Sequence, residues 1–136
     1  MNTPSKILVV DDDPVNRELF QLMLSKLGFT IEEAGDGTDA LEKLKEFLPD
    51  LILLDNIMPQ MSGFELTRIL KGDPQYREIP IIMFSGLDDA QDKQTGLELG
   101  VNDYITKPFN FSDALERIKS VLCGANVENA PAGITQ

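Results

Sequence analysis

Aspartates, hydroxyls and one lysine stand directly after short apolar runs. Asp11 and Asp12 follow Ile7-Leu8-Val9-Val10, Asp55 follows Leu51-Ile52-Leu53-Leu54, Ser85 follows Ile81-Ile82-Met83-Phe84, and Thr106 and Lys107 follow Tyr104-Ile105. Runs of this kind suit strands buried on both faces of a parallel sheet, which would gather the polar groups at one sheet edge. Two unit charges about 5 Å apart repel by roughly 3 kcal/mol at an effective dielectric of 20, so three carboxylates brought together call for a cation. Magnesium suits, because it uses one or two carboxylates, keeps waters and fills its remaining positions with phosphate oxygens. An aspartate beside it can attack phosphorus, giving an aspartyl phosphate. Phosphoryl transfer is mainly positioning and charge neutralisation on the equatorial oxygens. The metal would take one such oxygen, the Lys107 ammonium another, and the Ser85 hydroxyl would donate to a third. Taken singly, each residue has an ordinary explanation: Asp11 to Asp13 as a helix cap and solvated turn, Asp55 and Ser85-Gly86 as loop residues, Lys107 as a surface lysine, Tyr104 as a core-edge aromatic. Their recurrence after four separate runs is what points to chemistry.

The elements that must position these groups alternate between short apolar runs and longer amphipathic ones, five times over, the pattern of alternating β and α units. Helix one carries Val15, Leu19, Leu22, Met23 and Leu27 at helical spacing, with Pro14 preset for its first turn and Gly28 placed to end it. Phe29 to Glu33 reads as strand two, and Ala40, Leu41, Leu44 and Leu48 mark a helix that Pro49 helps to end. Phe64, Leu66, Ile69 and Leu70 face the core from a third helix, and Ile79 to Phe84 forms strand four, with Pro80 tolerated near its start. The fourth helix, within Leu87 to Gly100, has little beyond Ala90 and Leu97 to bury and is expected to be mobile. Leu115, Ile118, Val121 and Leu122 stripe the fifth. Five such units fit an α/β fold with an open, doubly wound parallel sheet better than a closed barrel of about 250 residues. Ligands of such sheets sit beyond the carboxyl ends of the strands. Residues 1–123 are expected to form one domain and 124–136 a flexible tail or linker.

Composition narrows the functions. The chain has 136 residues, 12 basic against 23 acidic, and a formal charge of −11. That balance argues against direct nucleic-acid binding, which needs clustered Lys and Arg. There is no histidine and one cysteine, Cys123, which excludes an internal disulfide, a His/Cys zinc site and histidine catalysis. No apolar stretch approaches the ~20 residues that span a bilayer, and Asp11 interrupts any signal-peptide core, so no membrane insertion and a cytoplasmic location are expected.

The motifs LVVDDD (Leu8 to Asp13), LLDNIMPQMSG (Leu53 to Gly63), IIMFSG (Ile81 to Gly86) and DYITKPF (Asp103 to Phe109), in that order and spacing, resemble those of response-regulator receiver domains of two-component signalling. The resemblance reaches to about Leu122. It implies a (βα)5 fold of flavodoxin-like strand order 2-1-3-4-5 and a signalling domain that catalyses only its own phosphorylation and dephosphorylation, rather than an enzyme. By residue, it implies Asp55 as phosphoacceptor, Asp11 and Asp12 as the acidic pair, and Mg2+ held by Asp12, Asp55 and the Ile57 carbonyl, with Asp11 acting through water. Lys107 and Ser85 would contact the phosphoryl group, Ser85 and Tyr104 would form the switch, and the Lys107-Pro108 bond would be cis. The donor in the family is a phosphohistidine, so a chain without histidine requires a histidine kinase or a histidine phosphotransfer protein as partner. A homodimer through the fourth helix, fifth strand and fifth helix, and a downstream effector, are the other partners implied.

Departures from the family pattern bear on signal lifetime. Ile57 and Leu87 are apolar where members often carry polar groups that orient an attacking water, so slow self-dephosphorylation is expected. Ser85 replaces a common threonine and keeps its hydroxyl. On phosphorylation, Ser85 is expected to move toward the phosphoryl group and Tyr104 to turn inward, shifting the fourth helix. Three other readings stand beside this one. A flavodoxin-like cofactor binder would need donors in its first loop, which here offers three carboxylates. A haloacid-dehalogenase-like phosphatase would use Asp11 as nucleophile with Asp88 and Asp89 as added ligands, against which stand the MPQMSG turn and the short length. A pseudo-receiver that is never phosphorylated would have little use for Asp12, Asp55, Ser85 and Lys107 together.

Overall fold

The computed structural model describes residues 5–86 and 90–123. Leu87, Asp88, Asp89 and the expected tail 124–136 therefore lie outside the described residues. Strands β1 (Lys6–Val10), β2 (Thr30–Ala34), β3 (Leu51–Asp55), β4 (Ile81–Ser85) and β5 (Asp103–Thr106) alternate with helices α1 (Pro14–Ser25), α2 (Gly37–Leu44), α3 (Gly63–Lys71), α4 (Ala90–Leu99) and α5 (Phe111–Leu122). The strands form one parallel sheet in the order β2-β1-β3-β4-β5. This is the expected doubly wound order, and it sets β1 and β3 side by side where the connections change direction.

Alternation along each strand feeds two apolar layers, as the two-residue period of a strand requires. Leu8, Val10, Ile52, Leu54, Ile81 and Met83 face one layer, closed by Ala40 and Leu44 of α2 and Leu66 and Leu70 of α3. Ile7, Val9, Leu51, Leu53, Ile82 and Phe84 face the other, closed by Phe20 and Leu24 of α1 and Ala114, Ile118 and Val121 of α5. Register carries Val10 of β1 beside Leu54 of β3, so Asp11 and Asp55 emerge together at the carboxyl edge.

Several expected elements are shifted. Strand β4 begins at Ile81, and Pro80 precedes it, its carbonyl accepting the Ile52 N–H at 3.0 Å; a proline has no N–H to give a ladder. Helix α2 ends at Leu44, well before Pro49, and leaves Leu48 exposed. On α1 the buried residues are Phe20 and Leu24, while Val15, Leu19 and Leu22 are exposed, as is Leu27 beyond the helix's end at Ser25. Ile69 of α3 and Leu97 of α4 are exposed too, and Thr67 is buried in their stead on α3, its hydroxyl donating to the Gly63 carbonyl at 2.8 Å. No helix among the described residues is long and apolar enough to cross a membrane.

Candidate functional site

At the carboxyl edge, carboxylate oxygens of Asp11, Asp12 and Asp55 lie within 4.8 Å of one another. Asp55 ends β3 and is only 7% exposed, Asp11 is also buried, and Asp12 is exposed. Lys107, immediately after β5, brings its Nζ to 3.6 Å from Asp55 Oδ1 and 3.9 Å from Asp11 Oδ2. The Lys107 N–H donates to the Ser85 carbonyl at 2.7 Å, which ties the loop after β5 to the end of β4. Ser85 is fully buried and the Lys107-Pro108 peptide is cis. Asp13 caps α1 by accepting the Val15 N–H at 2.9 Å and is not part of the cluster.

Electrostatics follow from this crowding. Burial, and then the neighbouring charge of Asp11, push the Asp55 pKa from 3.8 up to about 6; Lys107 and the Ile57 backbone amide draw it back only in part. The one ammonium is outnumbered by three carboxylates. A hard divalent cation with oxygen ligands answers that deficit, and the donor set fits magnesium.

The loop after β3 is shaped by the peptide itself. Asn56 is buried, its side-chain oxygen accepts the Phe64 N–H at 3.0 Å, and its carbonyl accepts the Gly63 N–H at 2.9 Å. A Cβ on Gly63 would lie 2.8 Å from the Asp55 carbonyl oxygen, so only glycine lets α3 start this close to the phosphoacceptor candidate. Gln60 takes a left-handed φ of 71° in the same loop. Ser62 then caps α3 through a reciprocal bond pair with Glu65. This path leaves Ile57 exposed at the rim.

Tyr104 is 1% exposed, and its ring already lies inside, whereas the sequence reading expects it to turn inward on phosphorylation. Gly96 of α4 makes the room: a Cβ there would stand 3.0 Å from Tyr104 Cδ2. Burial raises the Tyr104 pKa, and the Ser85 side chain lowers it. The sequence reading missed three contributors, Asn16, Arg17 and Asn56. Asn16 Nδ2 donates to Asp11 Oδ2 at 3.3 Å, and Arg17 Nη1 donates to the Asp11 carbonyl at 2.6 Å. Their signal was positional, since both fall in the first turn of the helix that Asp13 caps.

Comparison with known proteins agrees with this geometry. A family model for the response regulator receiver domain matches residues 7–119. A probable transcriptional regulator, ycf27, of Guillardia theta is 36% identical over 126 residues, 93% of this chain and 48% of that protein. The phosphate regulon transcriptional regulatory protein PhoB of Escherichia coli is 41% identical over 117 residues, 86% of this chain and 51% of that protein. The chain thus spans about half the length of the curated relatives it matches. Among solved structures, the signal receiver domain of a signal transduction histidine kinase from Syntrophus aciditrophicus superimposes with a TM-score of 0.82 at 36% identity, covering 90% of this chain and 93% of that one. With a sheet of this order, an acidic cluster at its switch point and a family match over most of its length, the chain belongs to the response regulator receiver domains of two-component signalling.

Proposed function

We propose that the chain takes a phosphoryl group from a partner phosphohistidine onto Asp55. The observation that carries this reading is the placement of Asp55, buried at the end of a central strand, with its carboxylate clustered with those of Asp11 and Asp12 and with the Lys107 ammonium 3.6 Å from Asp55 and 3.9 Å from Asp11. Asp12, Asp55 and the Ile57 carbonyl would hold Mg2+, with Asp11 acting through water. When bound, the ion supplies the charge that offsets the carboxylates and the incoming oxygens. A carboxylate oxygen of Asp55 attacks phosphorus, the bond from phosphorus to the donor imidazole breaks, and the imidazole leaves with its electron pair. Lys107 and Ser85 hold the remaining phosphoryl oxygens.

The donor is a histidine kinase or a histidine phosphotransfer protein, because this chain has no histidine. A shallow apolar groove of about 270 Å³ beside Lys107, lined by Leu19, Phe20 and Met23 of α1 with Pro108 and Phe109, supports docking of that donor here. Ser85, Tyr104 and the weakly buried α4 form the switch, and the α4-β5-α5 face passes the signal to a second copy or to an effector. The relatives named above as transcriptional regulators are about twice as long, so an output of that kind would lie outside the present chain.

Intact-mass analysis with Mg2+ and acetyl phosphate tests the assignment. The expected result is one added phosphoryl group, lost in Asp55→Ala and retained in Asp11→Ala. Addition that depends on Asp11 would favour the phosphatase chemistry, and no addition a pseudo-receiver. Followed in time, the adduct should be long-lived, and Ile57→Asn with Leu87→Glu should shorten its lifetime; an unchanged lifetime removes those two positions from the proposal.

A further inference from the structure

Arg17 bonds the backbone of the acidic site rather than its carboxylates. Its Nη1 donates to the carbonyl oxygen of Asp11 at 2.6 Å, and its Nε pairs with Glu33 Oε1 of β2 at 3.3 Å, with the arginine side chain 21% exposed. The Asp11 carbonyl and the Asp12 N–H belong to one planar peptide unit, so a grip on the first fixes the orientation of the second. The next step of the chain is fixed as well, because the Asp13 N–H donates to Asp11 Oδ1 at 2.9 Å. Asp12 itself is exposed. Without packing around it, its aim depends on the backbone that carries it.

We propose that Arg17 is a positioning residue for the cation site. By gripping the Asp11 carbonyl and bracing on Glu33, it sets the direction in which Asp12 presents its carboxylate beside Asp11 and Asp55. The inference rests on the reading of this cluster as the Mg2+ site of a phosphoacceptor. A planar guanidinium can bond the carbonyl and Glu33 at once with two fixed donors, whereas a lysine ammonium is a single point charge on a flexible stem. The role therefore belongs to the fork and not to the charge alone.

Partners outside the ligand shell typically change metal affinity by about 10- to 100-fold. The test is an Mg2+ titration of the full chain followed by amide NMR shifts, with acetyl phosphate phosphorylation measured at limiting and saturating Mg2+. Arg17→Gln and Arg17→Lys should each raise the Mg2+ Kd about tenfold and leave the phosphorylation rate at saturating Mg2+ within about twofold of the parent. Glu33→Gln, which removes only the brace, should raise the Kd by about two- to threefold. An unchanged Kd in Arg17→Gln overturns the proposal, and so does full recovery in Arg17→Lys, which would show that charge suffices. A parent chain that binds no Mg2+ would instead overturn the underlying reading of the site.

Discussion

Asp55 is held in a state that folding does not favour. Its carboxylate is buried beside Asp11, and its pKa stands at about 6 instead of 3.8. A rise of that size corresponds to roughly 3 kcal/mol, since one unit is about 1.4 kcal/mol. The sign follows from proton counting. Between the two values the folded chain binds more protons than the unfolded one, so stability falls as pH rises through that window. Above pH 6 the full penalty is present. Asp55→Asn, which keeps the shape and removes the charge, should therefore be more stable than the parent at pH 7.5 by on the order of 1–3 kcal/mol, with an advantage that shrinks as pH falls toward 5. Urea unfolding from pH 8 to 5 measures this; a pH-independent difference would contradict it. The same penalty disposes the site toward a cation, since an ion that binds the folded chain alone adds to its stability.

Helix α4 is the least anchored of the five. Of its residues from Gln91 onward only Gly96 is buried, and its packing is against α3 and β5. A segment that buries so little opens at small free-energy cost, and a near-balanced element is one that a bound group can bias. Its amides should exchange about tenfold or more faster than those of α5, and beryllofluoride with Mg2+, a phosphoryl mimic, should change exchange across α4 and β5. Identical exchange profiles with and without the mimic would remove α4 from the switch. The expectation of weak burial came from the sequence, and so, to within a residue, did the carboxyl ends of β1, β3 and β4, because a strand buried on both faces stays apolar until it reaches the polar edge of the sheet. The edge strand β2 carries Glu32 and Glu33 within it and ends at Ala34, one residue past the expected Glu33. Which face a helix buries was harder to read. On α1, Val15, Leu19 and Leu22 form a regular apolar stripe, yet Phe20 and Leu24 are the residues turned to the sheet. Two apolar faces on one helix cannot be ranked by spacing alone. The same reasoning shows why Arg17 and Asn56 escaped notice: Arg17 bonds the Asp11 carbonyl and the Glu33 side chain of β2, the Asn56 side chain accepts the Phe64 N–H, and no periodicity encodes such pairings.

At the scale of the whole molecule, an acidic chain of charge −11 resists self-association unless charges are matched locally. The α4-β5-α5 face does carry both signs. Arg117 pairs with Asp103 at 2.8 Å and reaches Asp113 at 3.8 Å, while Lys93 and Leu97 are exposed on α4. If this face joins two copies, beryllofluoride with Mg2+ should double the mass seen by light scattering, and Leu97→Asp should hold the chain monomeric. A single mass under both conditions would exclude a homodimer as the output.

The absence of histidine has one more consequence. Imidazoles are the side chains that ordinarily titrate between pH 5 and 8; this chain has none, and burial has instead moved a carboxyl, Asp55 at about 6, into that interval. Near pH 6 about half the molecules carry its proton, and a cation that needs the bare carboxylate must expel it. In weakly buffered solution, loading of the site thus writes itself as a small acidification of about half a proton per chain, which fades by pH 7.5: the domain is its own indicator.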